Sequence, residues 1–299
     1  MRAPTHVDRW EIVGELGTGG VAEVLLGRAR TATDVDEVAI KRPLPERVGD
    51  ESYREMLRIE SRILERIDDP NVVRRIAWVE GRPPALVLER LKGRTLAEVL
   101  ADKNAELTIG LALEIGVQGA RALTAVHRAS DDVGRPLEVV HCDVSPENLF
   151  VTTDGVIKLF DFNVACARGV ELVPGAMRGR VAYMSPEQAR GERLDGRADV
   201  FSLGVVIWEL LSRERLFWRG NTLASLRAIC DDDEPVPRVA SRRASVGESL
   251  DALLATALDR DRDGRPDSAT FLEQLEGLHI ADVVHRDRLR ALASSRGLS

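Results

Sequence analysis

Three short oxygen-bearing side chains crowd into residues 141–163, His-Cys-Asp-Val-Ser-Pro-Glu-Asn-Leu-Phe-Val-Thr-Thr-Asp-Gly-Val-Ile-Lys-Leu-Phe-Asp-Phe-Asn: Asp143, Asn148 and Asp161. Asp143 and Asn148 share a loop that Pro146 stiffens and keeps from turning helical. Residues 149–151 and 156–159 are apolar runs separated by Thr-Thr-Asp-Gly, the pattern of a hairpin. Such a hairpin returns Asp161 to the neighbourhood of Asn148. A carboxylate and an amide oxygen converging there suit Mg²⁺, a hard cation that takes oxygen ligands and keeps phosphate oxygens in its shell. Asp143 is left to position a hydroxyl.

The string resembles the catalytic loop and metal-binding hairpin of the protein kinase family, H-R-D-x-x-x-x-N followed by D-F-G. Cys142 stands in place of the Arg and Asn163 in place of the last Gly. Glycine there permits unusual backbone angles; Asn is among the residues best able to adopt a left-handed conformation, so Asn163 is expected to be tolerated. The resemblance implies an α+β, bilobal, protein-kinase-like fold: an N-lobe of small antiparallel β-sheet with one main helix, and a mostly helical C-lobe.

The elements that must position these groups can be sought in order. The resemblance implies a kinase domain over residues 10–278, with an N-lobe at 10–90, a C-lobe at 91–278 and a tail at 279–299. Residues 11–16 and 21–28 read as strands bracketing Gly17-Thr18-Gly19-Gly20, where glycine lets backbone N–H groups approach a phosphate. Leu16, Gly17, Gly19 and Val24 fit the family's glycine-rich loop, with Ala22 at its third glycine. Val38-Ala39-Ile40-Lys41 matches its lysine strand. A helical pattern over 51–67 carries Glu60, nineteen positions after Lys41, where the family places the lysine's partner. Glu55 and Glu65 compete for that role and read as solvated-face residues. Residues 85–88 are a short apolar strand leading into Glu89-Arg90-Leu91. Leu88 would back the nucleotide pocket, and the backbone of Glu89 to Leu91 would meet the adenine edge.

Further along, residues 108–129 carry a helical pattern, and 130–136 a polar insertion that needs no role beyond a surface loop. Residues 164–180 hold no Ser, Thr or Tyr. Relatives are often switched on by phosphorylating a hydroxyl there, so activity independent of such a phosphate is expected. Cys142 and Cys166 occupy the positions of two basic phosphate readers in relatives. Two small reduced thiols are the preferred reading, with a redox-sensitive pair as the alternative.

Residues 179–187, Gly-Arg-Val-Ala-Tyr-Met-Ser-Pro-Glu, match the segment ending in A-P-E. In serine/threonine members of the family a Thr usually follows that first Gly and a Lys usually lies two residues past the catalytic Asp, and the two touch one another and the substrate hydroxyl. Here Arg180 and Ser145 stand instead, an exchange that would carry the cation to the substrate-binding segment. Unrelated drift is the competing account. Asp199 resembles the carboxylate that holds the catalytic loop, or serves the helix N-terminus it occupies. Arg265 resembles the late arginine that pairs with Glu187. The tail reads as basic and weakly helical, mobile in preference to the alternative of a docking element.

The chain has 299 residues and a formal net charge of −7, which argues against general nucleic-acid binding. No run of about 18 apolar residues marks a membrane span, and the first residues lack the apolar core of a signal peptide. Cys142, Cys166 and Cys230 have no metal-ligand spacing. A reduced cytoplasmic location without membrane association is expected. The activity implied by the resemblance is transfer of the γ-phosphoryl group of ATP, with Mg²⁺, to Ser or Thr of a protein substrate. Asp143 would be its base and Lys41, paired with Glu60, its phosphate grip. A pseudokinase scaffold is the alternative; a small-molecule phosphotransferase fits the A-P-E-like segment poorly.

Overall fold

A computed structural model describes residues 6–20, 22–30, 36–167, 179–278 and 283–294. The chain divides into two units: Met1–Asp69 with Val73–Lys92, and Pro70–Val72 with Gly93–Ser299. The division falls two residues beyond the 90/91 boundary expected from sequence.

The first unit is a six-stranded antiparallel sheet in the order β1-β2-β3-β4-β6-β5, from β1 (His6–Val7), β2 (Trp10–Thr18), β3 (Ala22–Ala29), β4 (Glu37–Pro43), β5 (Arg75–Val79) and β6 (Ala85–Glu89). Its helix α1 (Glu51–Leu64) starts at Asp50, whose carboxylate accepts the Ser52 N–H at 3.0 Å. Strand alternation sorts the side chains onto two faces. Leu25, Val38, Ile40 and Val87 form a buried cluster with Trp10 and Ala85 on one face. Val24, Ala39, Lys41, Leu86 and Leu88 fall on the other, because Val24 pairs with Lys41, Lys41 with Leu86 and Ala39 with Leu88.

The second unit is mostly helical. A small antiparallel sheet, β7 (Gly93–Thr95), β8 (Leu149–Thr152) and β9 (Ile157–Leu159), carries the hairpin expected from sequence. Around it lie α2 (Leu96–Ala101), α3 (Ile109–His127), α4 (Pro186–Arg190), α5 (Arg197–Ser212), α6 (Thr222–Cys230), α7 (Glu248–Ala257), α8 (Ser268–Leu278) and α9 (Val283–Ser294). Residues Ala198 to Leu211 of α5 are all buried, as befits a helix apolar on every side. α3 is long and apolar enough to cross a bilayer by composition, yet it is a core helix packed against α5, α8 and β9.

The tail departs from the mobile end read from sequence. α9 packs against α3, β7 and β8, burying Leu289, Leu292 and Ala293. Arg286 and Arg290 each donate to the Asp154 carbonyl at 3.2 Å, in the β8–β9 turn. Gly155 makes that seat possible: at φ 79° a Cβ there would lie 2.6 Å from the Arg286 carbonyl oxygen.

Candidate active site

In the first unit, Lys41 Nζ donates to both carboxylate oxygens of Glu60 at 2.8 Å, with both side chains buried. Glu55 and Glu65 pair instead with Arg58 and Arg75 at 3.2 and 3.1 Å. Gly17 pairs with Val24, so the glycine turn, Val24 and Lys41 lie in one row across the sheet. A Cβ at Gly17 would meet nothing within 4 Å, leaving its backbone open. Leu16, at the turn's edge, is 43% exposed. Leu88 is buried and shares the lysine's face. Glu89 donates its backbone N–H to Arg74 O at 2.9 Å, and its carboxylate accepts the Arg74 N–H at 2.8 Å. Leu91, one residue beyond Arg90, lies outside any strand.

In the second unit, the loop from His141 to Asn148 hangs from a buried carboxylate. Asp199 accepts the backbone N–H groups of His141 and Cys142 at 2.8 and 2.9 Å, and His127 Nε2 lies 2.9 Å from it. Asp199 lies in the first turn of α5, but these three contacts rather than the helix dipole explain its burial. The Gln188 side-chain amide donates to the Cys142 carbonyl at 2.7 Å.

Asp143 follows. Its Oδ1 accepts the Arg180 backbone N–H at 2.9 Å; its Oδ2 accepts Arg180 Nη1 at 2.8 Å and Asn148 Nδ2 at 2.7 Å. The same Arg180 nitrogen lies 3.3 Å from Ser145 Oγ, and Arg180 Nε lies 3.7 Å from Glu147 Oε2. Arg180 thus touches both Asp143 and Ser145. Gly179 permits this closeness, since at φ 83° a Cβ would lie 2.4 Å from the Cys142 carbonyl oxygen and 3.2 Å from Asp143 Oδ1. Burial pushes the Asp143 carboxyl above its ordinary range, while the Arg180 and His141 charges and the donated hydrogen bonds pull it back.

Asp161 is set by its neighbours. Phe160 N–H donates to Asn148 O at 3.1 Å, which brings the next residue beside Asn148. His141 Nε2 lies 3.2 Å from Phe160 O, and the His141 ring meets Phe162 edge-on at 4.6 Å. Held on both sides, Asp161 adopts φ 66°. The left-handed residue after the hairpin is Asp161, which sequence reading did not anticipate. The hairpin itself is fastened to α3: Gln118 Oε1 accepts the Ile157 N–H at 2.7 Å, and Asn71 donates to both Gln118 and the Ile157 carbonyl.

Asn148 turns its amide nitrogen to Asp143, which leaves the oxygen for a cation; Asp161 adds a carboxylate. Two hard oxygen donors, completed by phosphate oxygens, fit Mg²⁺. Among the described residues no cluster of three or more His, Cys, Asp or Glu offers an all-protein metal cage.

Behind the site, Glu187 and Arg265 form a bidentate pair at 2.8 and 2.7 Å with both side chains buried. The rest of the Arg265 fork goes to the carbonyls of Asp259, Arg197 and Arg260. Residues 168–178, most of the segment without hydroxyls, lie outside the described residues. Sequence reading did not single out His141 or Gln188 as positioning groups. Their only signal was membership of the His-Cys-Asp and Ser-Pro-Glu-Gln strings.

A buried lysine–glutamate pair on the antiparallel sheet of one unit, and a loop aspartate bonded to Asn148 in the mostly helical other, are the marks of a protein kinase. Residues 10–275 match the protein kinase domain family, and the chain belongs to it. It is similar to bacterial Hanks-type kinases. It is 35% identical over 89% of its length to the tyrosine-protein kinase MasK of Myxococcus xanthus, covering 42% of that protein. It is 32% identical to the serine/threonine-protein kinases PknA of Corynebacterium glutamicum, over 82% of this chain and 51% of that protein. It is also 32% identical to the serine/threonine-protein kinase PknB of Mycolicibacterium smegmatis, over 90% of this chain and 43% of that protein. The chain therefore spans about half or less of the length of these relatives.

Proposed function

We propose that this domain transfers the γ-phosphoryl group of ATP to Ser or Thr hydroxyls of protein substrates, with Mg²⁺ held by Asn148 and Asp161, and without phosphate on residues 164–180. The observation that carries this reading is the contact of Arg180 with both Asp143 and Ser145. It corresponds, with cation and hydroxyl exchanged, to the Lys–Thr contact that the family resemblance implies for serine/threonine members.

Asp143 orients the acceptor hydroxyl and takes its proton. A carboxyl raised by burial is a better base near neutrality than an ordinary one, and general-base catalysis is worth about 10²–10⁴-fold. Lys41, fixed by Glu60, presents its ammonium to the nucleotide phosphates, and the glycine turn, with open space at Gly17 and Gly19 closed onto the Ala22 carbonyl, covers them. Leu16, Val24, Ala39 and Leu88 supply apolar surface for the base, with Glu89 to Leu91 meeting its edge. Arg180 stands ready to neutralise charge that develops on the transferred group. Bound Mg²⁺ supplies neutralisation of the phosphate oxygens.

MasK is named a tyrosine kinase, so the acceptor must be determined directly. Purified protein given radiolabelled ATP, Mg²⁺ and a generic basic protein should yield phosphoserine or phosphothreonine on acid hydrolysis. Phosphotyrosine alone overturns the acceptor assignment. Incorporation no greater than that of Asp143→Asn overturns catalysis and leaves a nucleotide-binding scaffold.

A further inference from the structure

Immediately before the proposed base, two thiols face each other. Cys142 Sγ lies 3.2 Å from Cys166 Sγ, within hydrogen-bonding distance. They sit in an apolar pocket with Val140, Val164, Leu194 and Ala198. Nothing in phosphoryl transfer uses either sulfur. The backbones on both sides are already aligned: Val140 and Cys166 exchange N–H···O bonds of 2.9 and 2.8 Å as an isolated antiparallel bridge. Cys142, two residues on, has φ 65°, its N–H on Asp199 and its carbonyl on Gln188.

We propose that Cys142 and Cys166 form an oxidation site at which a hydroperoxide produces a disulfide, and that this bond displaces Asp143 and halts turnover. The effect on turnover rests on the kinase function proposed above; formation of the bond does not.

The two sulfurs have different roles. Cys166 is the more accessible, at 9% exposure against 3% for Cys142. The Cys142 thiol is pushed well up, first by the hydrogen bond to Cys166 and then by burial and the Asp199 charge, so it keeps its proton. Cys166 is therefore the attacking sulfur. As the Cys166 thiol gives up its proton, its sulfur takes the near oxygen of the hydroperoxide, the O–O bond breaks, and the far oxygen leaves with that proton as water or an alcohol. The product is a sulfenic acid on Cys166. Cys142 sulfur then attacks Cys166 sulfur, the S–O bond breaks, and the departing hydroxide takes the Cys142 proton as water. Two thiols give up two electrons to one O–O bond, and a dithiol reductant reverses the change.

The disulfide requires about 2.04 Å between sulfurs, so 3.2 Å must close by roughly 1.2 Å. Both cysteines are held at their backbone N–H and carbonyl groups, Cys166 by Val140 and Cys142 by Asp199 and Gln188, so the movement is shared and the part that falls on Cys142 passes to the next residue, Asp143. A displacement of about 1 Å in a catalytic group can cost about 10²-fold.

The test treats the reduced 299-residue chain with hydrogen peroxide, alkylates it, maps disulfides by peptide mass spectrometry and follows turnover. The expected result is a linked Cys142–Cys166 peptide, kcat reduced at least tenfold, and recovery with dithiothreitol. Cys166→Ser should keep its turnover through the same treatment, and Cys230→Ser should behave like the parent. Recovery of both thiols alkylated, under conditions that oxidise a free-cysteine control, overturns the site. A linked peptide with undiminished turnover overturns the coupling to Asp143. A linked peptide from protein that had no turnover beforehand establishes the bond and overturns the kinase function instead.

Discussion

Replacing Arg180 by alanine separates its proposed charge role from its structural contacts. The truncation removes the guanidinium from Asp143, Ser145 and Glu147. It leaves the Arg180 backbone N–H on Asp143 Oδ1 at 2.9 Å and Asn148 on Oδ2 at 2.7 Å, so the base keeps two donors and its position. The Arg180 side chain is 41% exposed, so its field on Asp143 lies between the water and protein-surface limits, about 1–4 kcal/mol at roughly 4 Å. A preorganised donor on developing transition-state charge is worth about 10²–10³ in kcat. We therefore expect kcat to fall by about 10²-fold, with the KM for ATP changed by no more than about twofold. Arg180→Lys should restore only part, because one ammonium cannot span Asp143, Ser145 and Glu147 together.

The pH profile gives a second reading of the same variant. The Arg180 charge lowers the Asp143 carboxyl against the raising effect of burial, so its loss moves that carboxyl further up. A base must be ionised, and the acid limb of kcat/KM should shift to higher pH in Arg180→Ala. Rapid-quench measurement of radiolabelled phosphoryl transfer between about pH 5.5 and 9 isolates the chemical step. A kcat within about threefold of the parent, or an unmoved acid limb, refutes the charge role. A loss confined to the KM of the protein substrate would assign Arg180 to docking.

Three other perturbations test the framework. Glu60→Gln removes the carboxylate from buried Lys41; urea unfolding should lose about 3–5 kcal/mol, and the KM for ATP should rise. Arg265→Ala leaves Glu187 buried and uncompensated, so a loss of similar size, about 3–5 kcal/mol, is expected with no direct contact to the reacting groups. Leu289→Ala opens a cavity beneath α9 and should cost about 2–5 kcal/mol, whereas a mobile tail would show no change.

The features legible in the sequence were those in which local order coincides with spatial order. The β8–β9 hairpin returns Asp161 to Asn148 because an apolar–turn–apolar string has few other ways to fold. Lys41 and Glu60 could be paired because a strand and the helix after it place one lysine against one face, where Glu55 and Glu65 cannot reach. The left-handed backbone at Asp161 was not legible because it is decided from a distance. His141 takes the carbonyl before Asp161 and the ring after it, which forces the left-handed residue to position 161. The docking of α9 was hidden for the same reason. Its seat is built from Arg94, Asp154 and Gly155, all more than a hundred residues upstream, and no helical periodicity in 283–294 reveals them.

Both departures point to how the site holds its shape. Cys142 and Asp161 are non-glycine residues at φ 65° and 66°, conformations that cost about 1–3 kcal/mol each. Against them stand two backbone N–H bonds to the buried Asp199 carboxylate, worth about 1.5–3 kcal/mol each, together with the Gln188 and His141 contacts. The supports match or exceed the strain, so the loop is fixed in a conformation its own residues do not prefer. The groups doing this lie on α4, α5 and the first residue of the loop, and they touch neither nucleotide nor acceptor in the proposed reaction. Asp143 can therefore keep one orientation while its immediate partner, Arg180, stays partly exposed and open to exchange contacts with a substrate.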